Sequence, residues 1–107
     1  MSNNRLDQIK AMLLENPEDS FLNFALAKEH EYRSDNEAAL GVYQKLAETD
    51  PNYTGTYYHL VKLLSTEGRD TEAIECADKG LEICKMLGDK HAFGELSQLR
   101  WEISDDE

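Results

Sequence analysis

Three histidines, two cysteines and 22 acidic side chains are the groups in this 107-residue chain that could do chemistry. His30, His59 and His91 could hold a metal if the fold brought them together with a carboxylate. No two of them stand at the roughly three-to-five-residue spacing that sets a ligand pair on one helix face, so no metal is expected. His30 is expected to pack at an aromatic slot, with His59 and His91 on helix flanks. Cys76 and Cys84 stand about 12 Å apart along a single helix, beyond the reach of a disulfide. They read as small packing residues with free thiols, which suits a reducing compartment.

Acid–base catalysis needs two carboxyl groups held in unlike environments. Glu15, Glu18 and Asp19, and likewise Asp105, Asp106 and Glu107, instead look like solvated helix ends. The chain contains no phosphate-cradling glycine loop, no G-x-S-x-G, no H-E-x-x-H and no C-x-x-C. Neither an enzyme nor a cofactor is therefore expected.

With 22 acidic against 11 basic residues, the formal charge is -11. Such a field repels nucleic-acid phosphates and anionic lipid headgroups, and it favours a basic or amphipathic protein partner. No apolar run reaches the ~20 residues of a membrane span, and the start, MSNNRLDQIK, lacks a secretory core. These features lead to the expectation of a cytoplasmic protein.

The elements that would position these groups are helices. Leu, Ala, Glu and Lys recur, with only two prolines and six glycines, and such residues lose little rotamer freedom in a helix. An all-α fold of about six helices follows. At an offset of 34 residues, Pro17 meets Pro51, Leu26 meets Leu60, Lys28 meets Lys62 and Ala39 meets Ala73. A fixed period of this length signals stacked units that cannot bury their apolar faces alone. Residues 20–33 and 37–49 form one helix pair, and a second pair carries Tyr57, Leu60, Val61 and Leu64 opposite Ala73, Ile74, Ala77 and Leu81. Gly68 suits the left-handed turn between them. Ile9, Met12 and Leu13 mark a helix of the second type that lacks its first partner. Ala92, Leu96, Leu99 and Ile103 mark a final amphipathic helix, with Trp101 off its stripe. The tail after it is expected to fray.

This pattern resembles the tetratricopeptide repeat, W-x2-L-G-x2-Y, then A-x3-F, then P. Tyr57-x2-Leu60-Val61-x2-Leu64 and Ala73-x3-Ala77 carry it best. The first unit offers Asn23-x2-Leu26-Ala27-x2-His30, then Ala39-x3-Tyr43 and Pro51, with Phe24 supplying the bulk missing at Asn23. In the last helix the 34-residue register puts Gly94 and Gln98 at the Leu and Tyr slots. The resemblance implies antiparallel helix pairs stacked as a right-handed solenoid within a single domain, 1–107. Its parts are a half-repeat at 5–16, full repeats at 19–52 and 53–87, and a capping helix at 89–104.

The resemblance also implies a non-catalytic protein–protein interaction module. Its concave groove, lined by the first helix of each pair, would hold a peptide or protein segment. Projected onto this chain, the groove takes Phe21, Phe24, Lys28, Glu31 and Tyr32 from one helix and Tyr58, Lys62, Ser65 and Thr66 from the next. Phe24 and Tyr58 stand where carboxylate-gripping members carry asparagine-type residues, which argues against that mode. The alternative is a self-assembling protein, such as a homodimer, joined through the first helix or through the last one with Phe93 and Trp101.

Overall fold

The computed structural model describes residues 4–104, so the expectation for Asp105, Asp106 and Glu107 lies outside the described residues. Six helices and no strand occur among them: α1 Arg5–Glu15, α2 Ser20–Tyr32, α3 Asn36–Thr49, α4 Gly55–Thr66, α5 Asp70–Leu87 and α6 Lys90–Ser104. The chain is an all-α helical repeat, and its boundaries follow from local chemistry. Asn4, Asp19 and Asp35 place side-chain oxygens on the backbone N–H groups of Asp7, Leu22 and Ala38, satisfying donors that a helix start leaves unpaired. Gly68 and Gly88 end α4 and α5 with φ of 78° and 73°, a conformation that glycine adopts without a Cβ penalty. Ser34 takes φ of 62° between α2 and α3.

Contacts divide the chain into two compact units, Met1–Asp50 and Pro51–Glu107. In the first, α2 packs against both α1 and α3. Ala27 and Ala39 have no exposed surface, as needed where helix axes cross closely. Tyr43 is fully buried, and its hydroxyl donates to the Glu31 carboxylate. Ser20 donates to Asp50, joining the start of α2 to the end of α3.

In the second unit α4, α5 and α6 pack against one another. Ala73 and Ala77 are fully buried, and so is Tyr57, whose hydroxyl donates to the Pro51 carbonyl at 2.6 Å. Gly80 sits where three helices meet: a Cβ there would lie 2.7 Å from the Tyr57 ring and 2.8 Å from a Leu96 methyl. Asp89 starts α6 by accepting from the Ala92 N–H at 3.1 Å, and it accepts from Thr54 at 2.7 Å. The Thr54 hydrogen bond, with that from Ala92, holds its carboxyl below the usual range.

The 34-residue register fails in α6, and the structure shows why. Helix α5 has 18 residues where α3 has 14, the link after it is shorter, and α6 begins 35 residues after α4. Leu96, 36 residues after Leu60, is the buried residue, whereas Gly94 and Gln98 are exposed. The signature leucine is therefore present in α6 but displaced.

Cys76 and Cys84 are both free, on α5. Burial pushes the Cys76 thiol up to about 11, against the opposing pull of Lys79. It also raises Cys84, with the Asp89 charge adding to it.

Two predictions follow from this packing. Gly80→Ala should lower stability by about 1–3 kcal/mol despite alanine's better helix propensity, because Tyr57 and Leu96 must give way. Gly94→Ala, with nothing within 4 Å of the new methyl, should raise it by about 0.5–1 kcal/mol. Thermal denaturation of both checks the register, and a Gly80→Ala protein as stable as wild type would refute the close crossing. Native Cys76 should alkylate far more slowly at pH 8 than the unfolded chain does. A folded-state value raised from 9.0 to about 11 leaves stability intact below pH 9 and erodes it as pH climbs between those values.

Candidate interaction site

Helix α2 presents one face to solvent. Phe21, Phe24, Lys28 and Tyr32 recur on it at steps of three and four residues, the spacing that aligns side chains along a helix. Phe21 is 65% exposed and Tyr32 85%, high values for aromatic rings. Phe24 is half-buried, its ring edge-on to Tyr43 with centroids 5.9 Å apart. The Lys28 ammonium stands over that ring at 5.6 Å from its centre, a cation–π arrangement.

These four side chains, with Ala25 and Glu29 of α2, Arg33 at its C-cap and Arg5 of α1, line an open cleft of about 720 Å³. Its lining carries three cations and one carboxylate. That carboxylate, on Glu29, is 8% exposed and is held by Arg33 at 3.1 Å and Arg5 at 3.7 Å. The arginines remain partly open to solvent, with side-chain exposures of 40% and 67%. The cleft is thus locally cationic on a chain of formal charge -11.

Glu31 is turned to another use. It accepts from Tyr43 and does not line the cleft. Burial, followed by this hydrogen bond and the adjacent negative charge, makes the Tyr43 hydroxyl much harder to ionise than a free tyrosine.

Helix α4 carries the other four projected residues. Tyr58 is half-buried, its ring edge-on to His59 at 5.7 Å. Lys62 and Thr66 are exposed and Ser65 is half-buried; the Thr66 hydroxyl donates to the Lys62 carbonyl at 2.9 Å. Tyr58 borders a small pocket of about 170 Å³ with Glu95, Gln98, Leu99 and Glu102 of α6.

Of the first five projected residues, Phe21, Phe24, Lys28 and Tyr32 share one cleft. Arg5, Ala25, Glu29 and Arg33 belong to it and were not projected. Two of them had left a trace in the repeat. Arg5 stands 34 residues before Ala39, a fully buried small residue, and Glu29 stands 34 before the buried Leu63. A charge in an apolar slot marks a place where the repeat is not packing in its usual way.

His91 lies 3.4 Å from Glu95 on the α6 surface, and His30 and His59 are half-buried. Among the described residues no three His, Cys, Asp or Glu side chains gather as a metal site. No helix among them is long and apolar enough to cross a membrane.

No family model matches the chain, and no curated protein does. Solved structures do match. A tetratricopeptide repeat domain protein from Salinibacter ruber, solved in solution, is 37% identical, with 85% of this chain and 92% of that one covered at a TM-score of 0.80. The TPR2B domain of yeast Sti1, solved as a complex with pHsp70, superposes at a TM-score of 0.86 over 95% of this chain and 82% of that one, at 19% identity. YrrB, described as a TPR protein with an unusual peptide-binding site, matches at 0.63 over 92% of this chain and 58% of its own, at 18% identity. The repeat read from Leu26, Leu60, Ala39 and Ala73, the packing of the six helices and the Salinibacter likeness agree, and the chain belongs to the tetratricopeptide repeat family.

Proposed function

We propose that this chain is a non-catalytic protein-interaction module that holds a peptide or protein segment on the exposed faces of its first-type helices. One observation carries the reading. Helix α2 leaves Phe21 and Tyr32 in solvent at the edges of an open cleft, with Lys28 between them. Exposed aromatic rings beside cations are costly to leave in water and are the side chains that dominate binding energy at protein interfaces. The relatives support the same class: yeast Sti1 was solved with a partner, and YrrB carries a peptide-binding site.

In this reading 19–52 and 53–87 are the full repeats, 5–16 is a half-repeat and 89–104 is a cap. Tyr58, Lys62, Ser65 and Thr66 offer a second, more polar face on α4. The partner is amphipathic, with an apolar stripe for the rings. The free thiols of Cys76 and Cys84 suit a reducing, cytoplasmic setting.

Capture from the source lysate tests the proposal. Phe21→Ala/Tyr32→Ala is the variant of choice, because both rings are exposed while Phe24 helps pack Tyr43. A protein retained by the wild-type chain should be lost from the variant, whose melting temperature should stay within a few degrees of wild type. Equal retention by both would remove the α2 face from the interaction.

Self-association is the second reading. Met86, Phe93 and Trp101 are exposed apolar side chains at the end of α5 and on α6, with Trp101 66% exposed. Under the first reading the purified chain sediments as a monomer. A dimer that Trp101→Glu dissolves would favour the second.

A further inference from the structure

The cleft on α1 and α2 has an internal counterpart that tells what shape belongs in it. In the second unit α4 lies against both α5 and α6. Its Tyr57 fills the space over Gly80 of α5, and its Tyr58 borders Glu95, Gln98, Leu99 and Glu102 of α6. Helices α1 and α2 repeat α5 and α6. Arg5 and Met12 stand 68 residues before Ala73 and Gly80. Ala25, Lys28, Glu29 and Tyr32 stand 70 before Glu95, Gln98, Leu99 and Glu102, the same spacing that separates Ser20 and Lys90, the first residues of α2 and α6. These four α2 residues line the open cleft. Among the described helices of the first unit, none lies against α1 and α2 as α4 lies against α5 and α6. Met12, at the slot of the buried Gly80, is accordingly 47% exposed.

The geometry points to an acidic, amphipathic helix of a partner protein as the occupant of this place, an inference that rests on the protein-interaction reading and narrows it. The stripe from Phe21 to Tyr32 runs about 16 Å, or about three helical turns. Arg5 replaces the alanine of the equivalent crossing, so the incoming helix cannot approach as closely as α4 does. The Arg5 guanidinium flanks it instead. Glu29 is already satisfied within the chain, which leaves the surplus charge of Arg5, Lys28 and Arg33 for carboxylates on the partner. Apolar side chains of that helix meet Phe21, Phe24 and Tyr32. The net charge of the whole chain acts on the rate of encounter, whereas the cleft acts on the lifetime of the complex.

The test uses the full chain and a labelled peptide of about 16 residues, roughly four turns, with leucines along one helical stripe and glutamates beside it. Both ends are capped, so that no terminal carboxylate is on offer. Its twin carries lysine in place of every glutamate. By fluorescence anisotropy the glutamate peptide should bind at least about tenfold more tightly than the twin, and Lys28→Glu should weaken it by about fivefold. Lys45→Glu, at an exposed lysine of α3 that does not line the cleft, should leave its affinity unchanged. The inference is overturned if the lysine twin binds as well or better, or if Lys28→Glu binds the glutamate peptide like wild type. Binding of the twin that is lost in Phe21→Ala/Tyr32→Ala would overturn the charge assignment alone and uphold the interaction reading. Failure of both peptides to bind would overturn the helix as occupant, leaving the broader reading to the lysate capture. A dimer of the free chain that Lys28→Glu dissolves would give the place to a second copy, and that too overturns it.

Discussion

The structure depends on how closely helix axes approach, and that is set by side chains too small to hold them apart. Ala27 and Ala39 in one unit and Ala73, Ala77 and Gly80 in the other are buried. At such positions one added methylene has nowhere to go, since protein interiors are packed as tightly as organic crystals. Large residues can then be placed beside the small ones. Tyr57 lies over Gly80, and Tyr43 is buried with its hydroxyl on Glu31. Each tyrosine gains the burial of a large ring while its polar tip keeps a hydrogen bond, which avoids the penalty of an unpaired buried hydroxyl.

Where the small-residue rule is broken, the molecule does something else. Arg5 occupies an alanine slot and Glu29 a leucine slot, and the two side chains meet across α1 and α2. A buried carboxylate without partners would be strongly destabilising, and Arg33 from the next turn supplies a hydrogen bond at 3.1 Å. An ion pair, and not an alanine crossing, thus joins α1 to α2 here, and the same charged side chains line the open cleft.

That arrangement suits binding better than chemistry. The cleft concentrates arginine, lysine and exposed aromatic rings, whose strengths are contact area and charge recognition. The strongest departures from ordinary acidity fall at Tyr43 and Cys76, and in both burial is the first cause. Each change holds the group in its neutral form, which suits packing and is the opposite of activating a nucleophile.

The sequence by itself determined the helices, the period and the family. Helix-favouring residues, caps at Asp19 and Asp35 and glycines at 68 and 88 act within a few residues, so local pattern is enough to read them. Ala39 and Ala73 likewise disclosed the crossings, because only a small side chain satisfies that geometry. The apolar stripe of α6 with Leu96 was legible too. Only the tertiary structure decided where α6 leaves the 34-residue period, since the longer α5 and the shorter link after it put Leu96, 36 residues after Leu60, in the buried slot. It alone withdrew Glu31 from the projected face, by pairing it with Tyr43 from another helix, and drew in Arg5, Glu29 and Arg33. Those assignments depend on partners distant in sequence, and a repeat pattern records which slot a residue fills but not which side chain reaches it from the neighbouring helix.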